Sequence, residues 1–332
     1  MPAMVRTTPP RPVDVAVHLP DLAPLARIAV RLHPRPGEPT LADSSIGGPL
    51  LWPAQEPWPT CAEHAGPTLD GASVPDVMAR RRILAQAWAR PRPQGANLLT
   101  EEEKVVVERV DSGTQIAQDG PTPMVPVVQL YARDIPGLPR PDGADLLQVL
   151  WCPFDHEDDD YLPSTVLRWR IAAEVTDPLT DPPRPAAVEE HYLPQPCVLH
   201  PEEVTEYPAA LSLPEELAER VEEWEDQEGT EYQYDLSVAP GCKVGGHAPW
   251  SFSDPFPMSC PDCGANVEPL LTIDSSEWDG VTSWRPVEDA AADHPPFPAP
   301  NEPTMLMIGR GYGLQFYTCV AFPAHQHVTN MQ

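Results

Sequence analysis

The chain has 332 residues, 41% of them hydrophobic, and a formal net charge of −29; that is enough apolar material for one large domain or two ordinary ones, and too much negative charge for general binding to a phosphate backbone. Proline accounts for 47 residues, nearly three times the usual share of roughly 5%, and at that density it interrupts helices and stays out of central strands, so long bundles and a doubly wound sheet are excluded in favour of short elements joined by ordered loops. No window approaches a membrane span and the N-terminal stretch has no apolar core of signal-peptide length, so the seven cysteines are expected as reduced thiols or metal ligands in the cytoplasm.

In chain order, residues 1–21 read as a flexible proline-rich tail. The segment LAPLARIAVRLHPRPG (22–37) predicts a short helix or strand that stops at Pro-Arg-Pro-Gly. A helix is expected over about 73–90, with Ser73 as its cap, Asp76 at the third helical position, and Val77, Leu84 and Trp88 on one face. Three adjacent arginines on a helix point in different directions, so Arg80, Arg81 and Arg82 are expected as surface salt-bridge partners.

Short apolar runs bounded by proline, glycine or acids predict strands at 124–132, 144–152, 165–172, 267–274 and 312–319. The loop DHEDDD (155–160) reads as acidic and exposed; it lacks the glycine and the ligand spacing of a calcium loop. Segment 201–235 carries thirteen acids against the single base Arg220, a solvated face that can also attract a basic protein. Within it Ser212 and Glu215 make a capping-box pair. Leu213, Leu217, Val221 and Trp224 follow at helical spacing as a core stripe, and Gly229 is a natural stop.

The chain contains an approximate copy of itself. SIGGPLLWPAQEPWPTC (45–61) matches KVGGHAPWSFSDPFPMSC (243–260): Ile46-Gly47-Gly48 with Val244-Gly245-Gly246, Trp52 with Trp250, Pro57-Trp58-Pro59 with Pro255-Phe256-Pro257, and a cysteine behind each. PVVQL (126–130) matches PLLTI (269–273), and LLQVLWC (146–152) matches GLQFYTC (313–319). Four matches in the same order predict a sheet-dominated α+β fold made by internal duplication of two small antiparallel-sheet units, with peripheral helices and long proline-rich loops. The expected organisation is a first pseudo-repeat at 22–160 with the helical insertion, a connecting strand and acidic helical segment at 161–240, and a second pseudo-repeat at 241–332.

The spacing Cys260-x-x-Cys263 lets one turn present two thiolates to a single zinc ion, with Gly264 relieving the backbone behind it. A closed structural site needs four donors. The expected completion is Cys319 with His325, or with His327 two residues on. The first copy offers a parallel and weaker set: Cys61 and His64 in CAEH, then Cys152 and His156 in CPFDH. Cys197 and His200 in CVLH are a rival donor pair. Cys242 with His247 is a conceivable nucleophile and base, but no oxyanion hole accompanies them in the sequence.

Taken together, SSIGGPLLWPAQEPWP, MVPVVQL, LLQVLWCPFDHE, HPEEVTEYP, KVGGHAPW and GRGYGLQFYTC resemble the YwqG-like family, a bacterial domain of unknown function, in its long actinobacterial-type form, from about residue 22 to the C-terminus. The resemblance implies a duplicated α+β or mainly β fold and brings no reaction and no catalytic residues. Thr272 stands where such proteins usually carry glutamine, and Phe322 where many carry a second cysteine after Cys319. The expected function is that of a non-enzymatic, zinc-stapled protein that binds a protein partner, of inhibitor or immunity type, with no nucleic-acid or membrane ligand. The alternatives are a metal-assisted hydrolase built on an open site at Cys61, His64 and His156, and a small-molecule binder between the two copies.

Overall fold

In the computed structural model the described residues are 6–93, 95–280, 282–289 and 296–332. The chain opens with the short helix α1 (Val15–His18), whose cap Asp14 accepts from the Ala16 N–H, and a 3₁₀ segment at Pro20–Leu25. Strands β1 (Arg27–Arg31), β2 (Arg35–Pro36) and β3 (Ser45–Ile46) follow. An excursion then runs through β4 (Thr60–Cys61), β5 (Thr68–Gly71), helices α2 (Val74–Ala89) and α3 (Glu101–Asp111), β6 (Thr114–Ala117) and β7 (Thr122–Pro123). In it β5 pairs with β6 and β4 with β7. The chain continues through β8 (Val125–Tyr131), β9 (Leu146–Trp151), β10 (Thr165–Arg170), β11 (Cys197–Val198), β12 (Glu202–Glu206), helix α4 (Glu215–Glu228), β13 (Lys243–Gly245), β14 (Val267–Asp274), β15 (Gly313–Cys319) and β16 (Val328–Met331).

The fold is a sheet-dominated mixture of strands and helices, as composition and pattern predict. Two six-stranded sheets run in the orders β10-β9-β8-β3-β11-β2 and β16-β15-β14-β13-β1-β12, with every pairing antiparallel. Position by position the two orders match in register. Val30 faces Val244 where Cys197 faces Ile46; Lys243 faces Thr272 where Ser45 faces Gln129. The irregularity between Pro126 and Val128 has its counterpart between Pro269 and Leu271. One cluster of buried side chains draws on both sheets, with Val30, Ile46, Val128, Val149, Leu271 and Phe316 among its members.

The two sheets exchange strands. β1, from the early part of the chain, lies between β13 and β12, while β11, from the later part, lies between β3 and β2. Residues 22–160 thus contribute to both sheets, with β1 in the second, and residues 161–240 do the same, with β10 and β11 in the first and β12 in the second. The crossing is held by Leu32 N–H to the Cys242 carbonyl and His200 N–H to the Leu32 carbonyl, both 2.8 Å.

Four local expectations are corrected. The described part of the N-terminal tail is docked, because Val15, Leu19 and Leu22 bury themselves against Leu213, Leu217, Val221 and Trp224. Helix α2 has the Ser73 cap, but Trp88 on its far turn is exposed, and Arg81 is buried. Arg81 donates to the Glu190 carboxylate and to the carbonyls of Glu190 and Leu193, so only its neighbours face solvent. Helix α4 starts behind Pro214 with no side-chain cap; proline keeps the preceding Leu213 extended, which places Ser212 outside the helix. Helix α3, with its Thr100–Glu103 capping box, went unpredicted.

Placing β1 beside β13 buries charge. Lys243 Nζ lies 2.6 Å from Glu206 Oε1, with both side chains inaccessible; burial pulls the ammonium pKa down and Glu206 opposes it. Glu206 also accepts from the N–H groups of Ala239 and His247. Gly246, at φ +72°, leaves room for that carboxylate, which any Cβ would strike. A buried pair stripped of one partner leaves an uncompensated charge, at about 3–5 kcal/mol. Glu206→Gln is thus expected to lower unfolding stability by about that much in urea titrations, and a Glu206→Leu/Lys243→Met double variant to recover most of it.

Candidate metal centres

Among the described residues, two groups of four Cys and His side chains converge, each with its ligand atoms within 4.8 Å of one another. The first is Cys61, His64, Cys152 and His156; the second is Cys260, Cys263, Cys319 and His325. These are the two sets expected from spacing, including the weaker first one.

Each set is built from a turn and a strand end. Cys61 closes β4, His64 follows in the next turn, and Cys152 comes directly after β9. His64 is held by its backbone carbonyl, which accepts from Gln118 Nε2 at 2.8 Å and Thr122 Oγ1 at 2.5 Å, while its ring stacks on Phe154. In the second set the Cys260–Cys263 turn is closed by the Gly264 N–H to the Cys260 carbonyl at 2.8 Å, with Gly264 at φ +73°. Cys319 ends β15, at the register position that Cys152 holds beyond β9.

The spacings fit a tetrahedral ion. With Zn–S near 2.3 Å and Zn–N near 2.0–2.1 Å, a tetrahedron sets S···S at about 3.8 Å and S···N at about 3.6 Å. Cys61 Sγ lies 3.7 Å from His64 Nδ1 and 3.7 Å from His156 Nε2, and Cys152 Sγ lies 3.4 Å from His64 Nδ1. In the second set Cys260 Sγ lies 3.4 Å from His325 Nδ1, and Cys263 Sγ 3.6 Å from Cys319 Sγ. The far nitrogen of His156 meets Glu63 Oε2 at 2.8 Å, the carboxylate–imidazole arrangement that fixes a ligand's tautomer and raises its basicity.

Protonation follows the same logic. Burial, then the neighbouring Cys61, pushes the Cys152 thiol well above its ordinary range, so a cation is what makes it a thiolate there. Burial pushes Cys319 up as well, but the N–H groups of Phe322 and Ala321, with Cys263 and Cys260, outweigh it and bring the thiol down to about 7. Burial, then His156, lowers His64, which favours the neutral ring a metal requires.

The other candidates fall elsewhere. His327 points away from the second set: its Nε2 lies 2.7 Å from Thr165 Oγ1 and its ring packs on Phe316. Cys197 Sγ donates to the Pro303 carbonyl, and the rival Cys197–His200 pair joins neither cluster. Cys242 is buried against Asp274, its thiol pushed up by burial, while His247 Nε2 meets the Leu25 carbonyl at 2.9 Å; the two do not form a nucleophile–base pair. A third group went unpredicted: Asp155, Glu189 and His191 also lie within 4.8 Å. Its carboxylates are already engaged, Asp155 by the Tyr192 hydroxyl and Glu189 by the Asp155 N–H.

The fold and these sites define a sheet-dominated α+β protein carrying two four-donor Cys/His clusters, either of which can hold a metal ion such as zinc. Against known proteins, the chain matches no family model and no curated protein. Among the described residues no helix is long and apolar enough to cross a membrane.

Elemental mass spectrometry of the purified protein is expected to find about two zinc ions per chain. Cys260→Ala or His325→Ala should remove one, while His327→Ala leaves the content unchanged. Loss of zinc in the His327 variant alone would move the fourth ligand to that residue.

Proposed function

We propose that this is a non-enzymatic protein with two structural zinc ions, which binds a protein partner through its acidic helical segment. The observation that carries the reading is that each cluster offers four protein donors. Four donors fill a tetrahedron, whereas a catalytic zinc keeps a position for water or substrate. The hydrolase alternative at Cys61, His64 and His156 needs that open position, and Cys152 stands in it, 3.4 Å from His64. Glu63 hydrogen-bonds to His156, a supporting role for the ligand.

The matching strand orders and registers support descent of the two sheets from one duplicated unit. They also support the YwqG-like assignment, since Gly47 and Gly245 of its Gly-Gly motifs take the same left-handed turn, at φ +66° and +69°. The partner is basic in this reading. Helix α4 buries Leu217, Val221 and Trp224 and turns Glu215, Glu216, Glu219, Glu222, Glu223 and Asp226 outward, and a like-charged row of that kind steers cationic surfaces. The small-molecule alternative has one observation in its favour, a cleft of about 470 Å³ between β10 of the first sheet and residues 324–327, in the connection from β15 to β16 of the second.

The test is capture of protein from lysate at about 50 mM and about 300 mM salt. Retention of a basic protein at low salt, released at high salt and lost when Glu219, Glu222, Glu223 and Asp226 are made neutral amides, is the expected result. Capture indifferent to both salt and those substitutions would remove the acidic helix from the account.

A further inference from the structure

The two clusters meet solvent differently. In the first, Cys61, Cys152 and His156 are 4%, 0% and 3% exposed. Its one half-buried donor is His64, whose ring stacks on Phe154 at 4.9 Å. In the second, Cys260 and Cys319 are buried and His325 is half-buried, but Cys263 is exposed. The donor two residues beyond the leading cysteine is thus an imidazole in one set and an open thiol in the other.

The backbone accounts for that exposure. Pro261, Asp262, Cys263 and Gly264 all face solvent, and a Cβ placed on Gly264 would meet no atom within 4 Å. The turn is nevertheless fixed, by the Gly264 N–H to the Cys260 carbonyl and the Cys260 N–H to the Ala265 carbonyl, both 2.8 Å. Of the seven cysteines, Cys263 alone is exposed. A second thiol waits beneath it: Cys319 Sγ lies 3.6 Å away, fixed at the end of β15 by its register with Val267 and by the Val320 N–H to the Asn266 carbonyl at 3.1 Å. Closing that gap to a disulfide of about 2.0 Å is a short movement.

Oxidation selects thiolates that are accessible and stand beside a resolving cysteine. A metal ligand is a thiolate, so ligation supplies the first condition and the turn supplies the other two. The first cluster fails the test of access, since both its cysteines are buried.

We propose that Cys263 is a site of reversible oxidation by peroxides, with Cys319 as the resolving thiol and loss of the second ion as the result. This rests on the zinc reading of that cluster. The Cys263 sulfur attacks one peroxide oxygen; the O–O bond breaks, a first water leaves after protonation, and Cys263 becomes a sulfenic acid. The Cys319 sulfur then attacks the Cys263 sulfur; the S–O bond breaks, a second water leaves, and the S–S bond forms. Two thiolates lose two electrons, and hydrogen peroxide with two protons becomes two waters. Cys260 and His325, 3.4 Å apart, are then the only donors left, half of what a closed site needs.

The test uses the full chain, its zinc content measured before any oxidant is added. Hydrogen peroxide at about tenfold molar excess is then added with a chromogenic chelator present, followed by peptide mapping. Release of one of the two ions, a Cys263–Cys319 disulfide, and rebinding after a thiol reductant are expected. Cys263→His copies the Cys-x-x-His turn of the first cluster; it should keep both ions and release the second at least about tenfold more slowly. Mapping of the unaltered chain decides the matter even where that variant fails to fill its site. Retention of both ions, their release together, an unmodified Cys263, or a bridge to Cys260 in place of Cys319 would overturn the proposal. A second site already empty before peroxide removes the zinc reading and this inference together, whereas a filled site that resists peroxide removes this inference alone.

Discussion

The lodging of β1 between β13 and β12 is the constraint on which the rest of the structure depends. Without it β13 would lose a neighbour, and Val30 and Leu32 would leave the core they share with strands of both sheets. The reciprocal insertion of β11 between β3 and β2 imposes the same dependence on the first sheet. Neither sheet is complete with residues of one half of the chain, so the two must form together. Loop closure over such sequence distances is entropically unfavourable before the contacts it enables are made. The crossing is narrow: two backbone hydrogen bonds through Leu32 and a buried His33, whose Nε2 meets Glu202 at 3.1 Å.

The Cys/His clusters sit where this exchange gives no help. Cys152 and Cys319 lie at the ends of β9 and β15, each tied to a loop from before the neighbouring strand. A metal there joins the start of a long connection to its finish, the place where a covalent-strength link removes most freedom from the unfolded chain. Proline-rich loops explain why such links are useful. They form few backbone ladders of their own, and the connection from β3 to β8 must also accommodate the excursion through α2 and α3.

Much of this was legible in the sequence, for identifiable reasons. The long central strands are apolar runs with clear boundaries, and five expected segments became β8, β9, β10, β14 and β15. Cys260 and Cys263 announce themselves because a two-residue spacer has few other uses, and the repeat then pointed to Cys61, His64, Cys152 and His156. The exchange was hidden because β11 is two residues long and its likeness to β1 rests on one short match, Leu32-His33-Pro34 against Leu199-His200-Pro201. Arg81 reads as a surface residue because only tertiary pairing reveals a buried charge. The α3 cap was present as Thr100 and Glu103 and went unread, whereas Ser212 and Glu215 looked like a cap that Pro214 forbids.

Matching frames with unlike fillings describe the molecule best: the same strand order twice, one outer face sealed and the other opening on a cleft of about 210 Å³, and a four-donor cluster at the ends of β9 and β15. The central claim is that those clusters are closed zinc sites, and X-ray absorption at the zinc edge tests it most directly. The account predicts a four-coordinate shell of mixed sulfur, near 2.3 Å, and nitrogen, near 2.0–2.1 Å, averaging two sulfurs and two nitrogens in one site with three and one in the other. A shell of nitrogen and oxygen without sulfur, or five or six ligands including water, would contradict it.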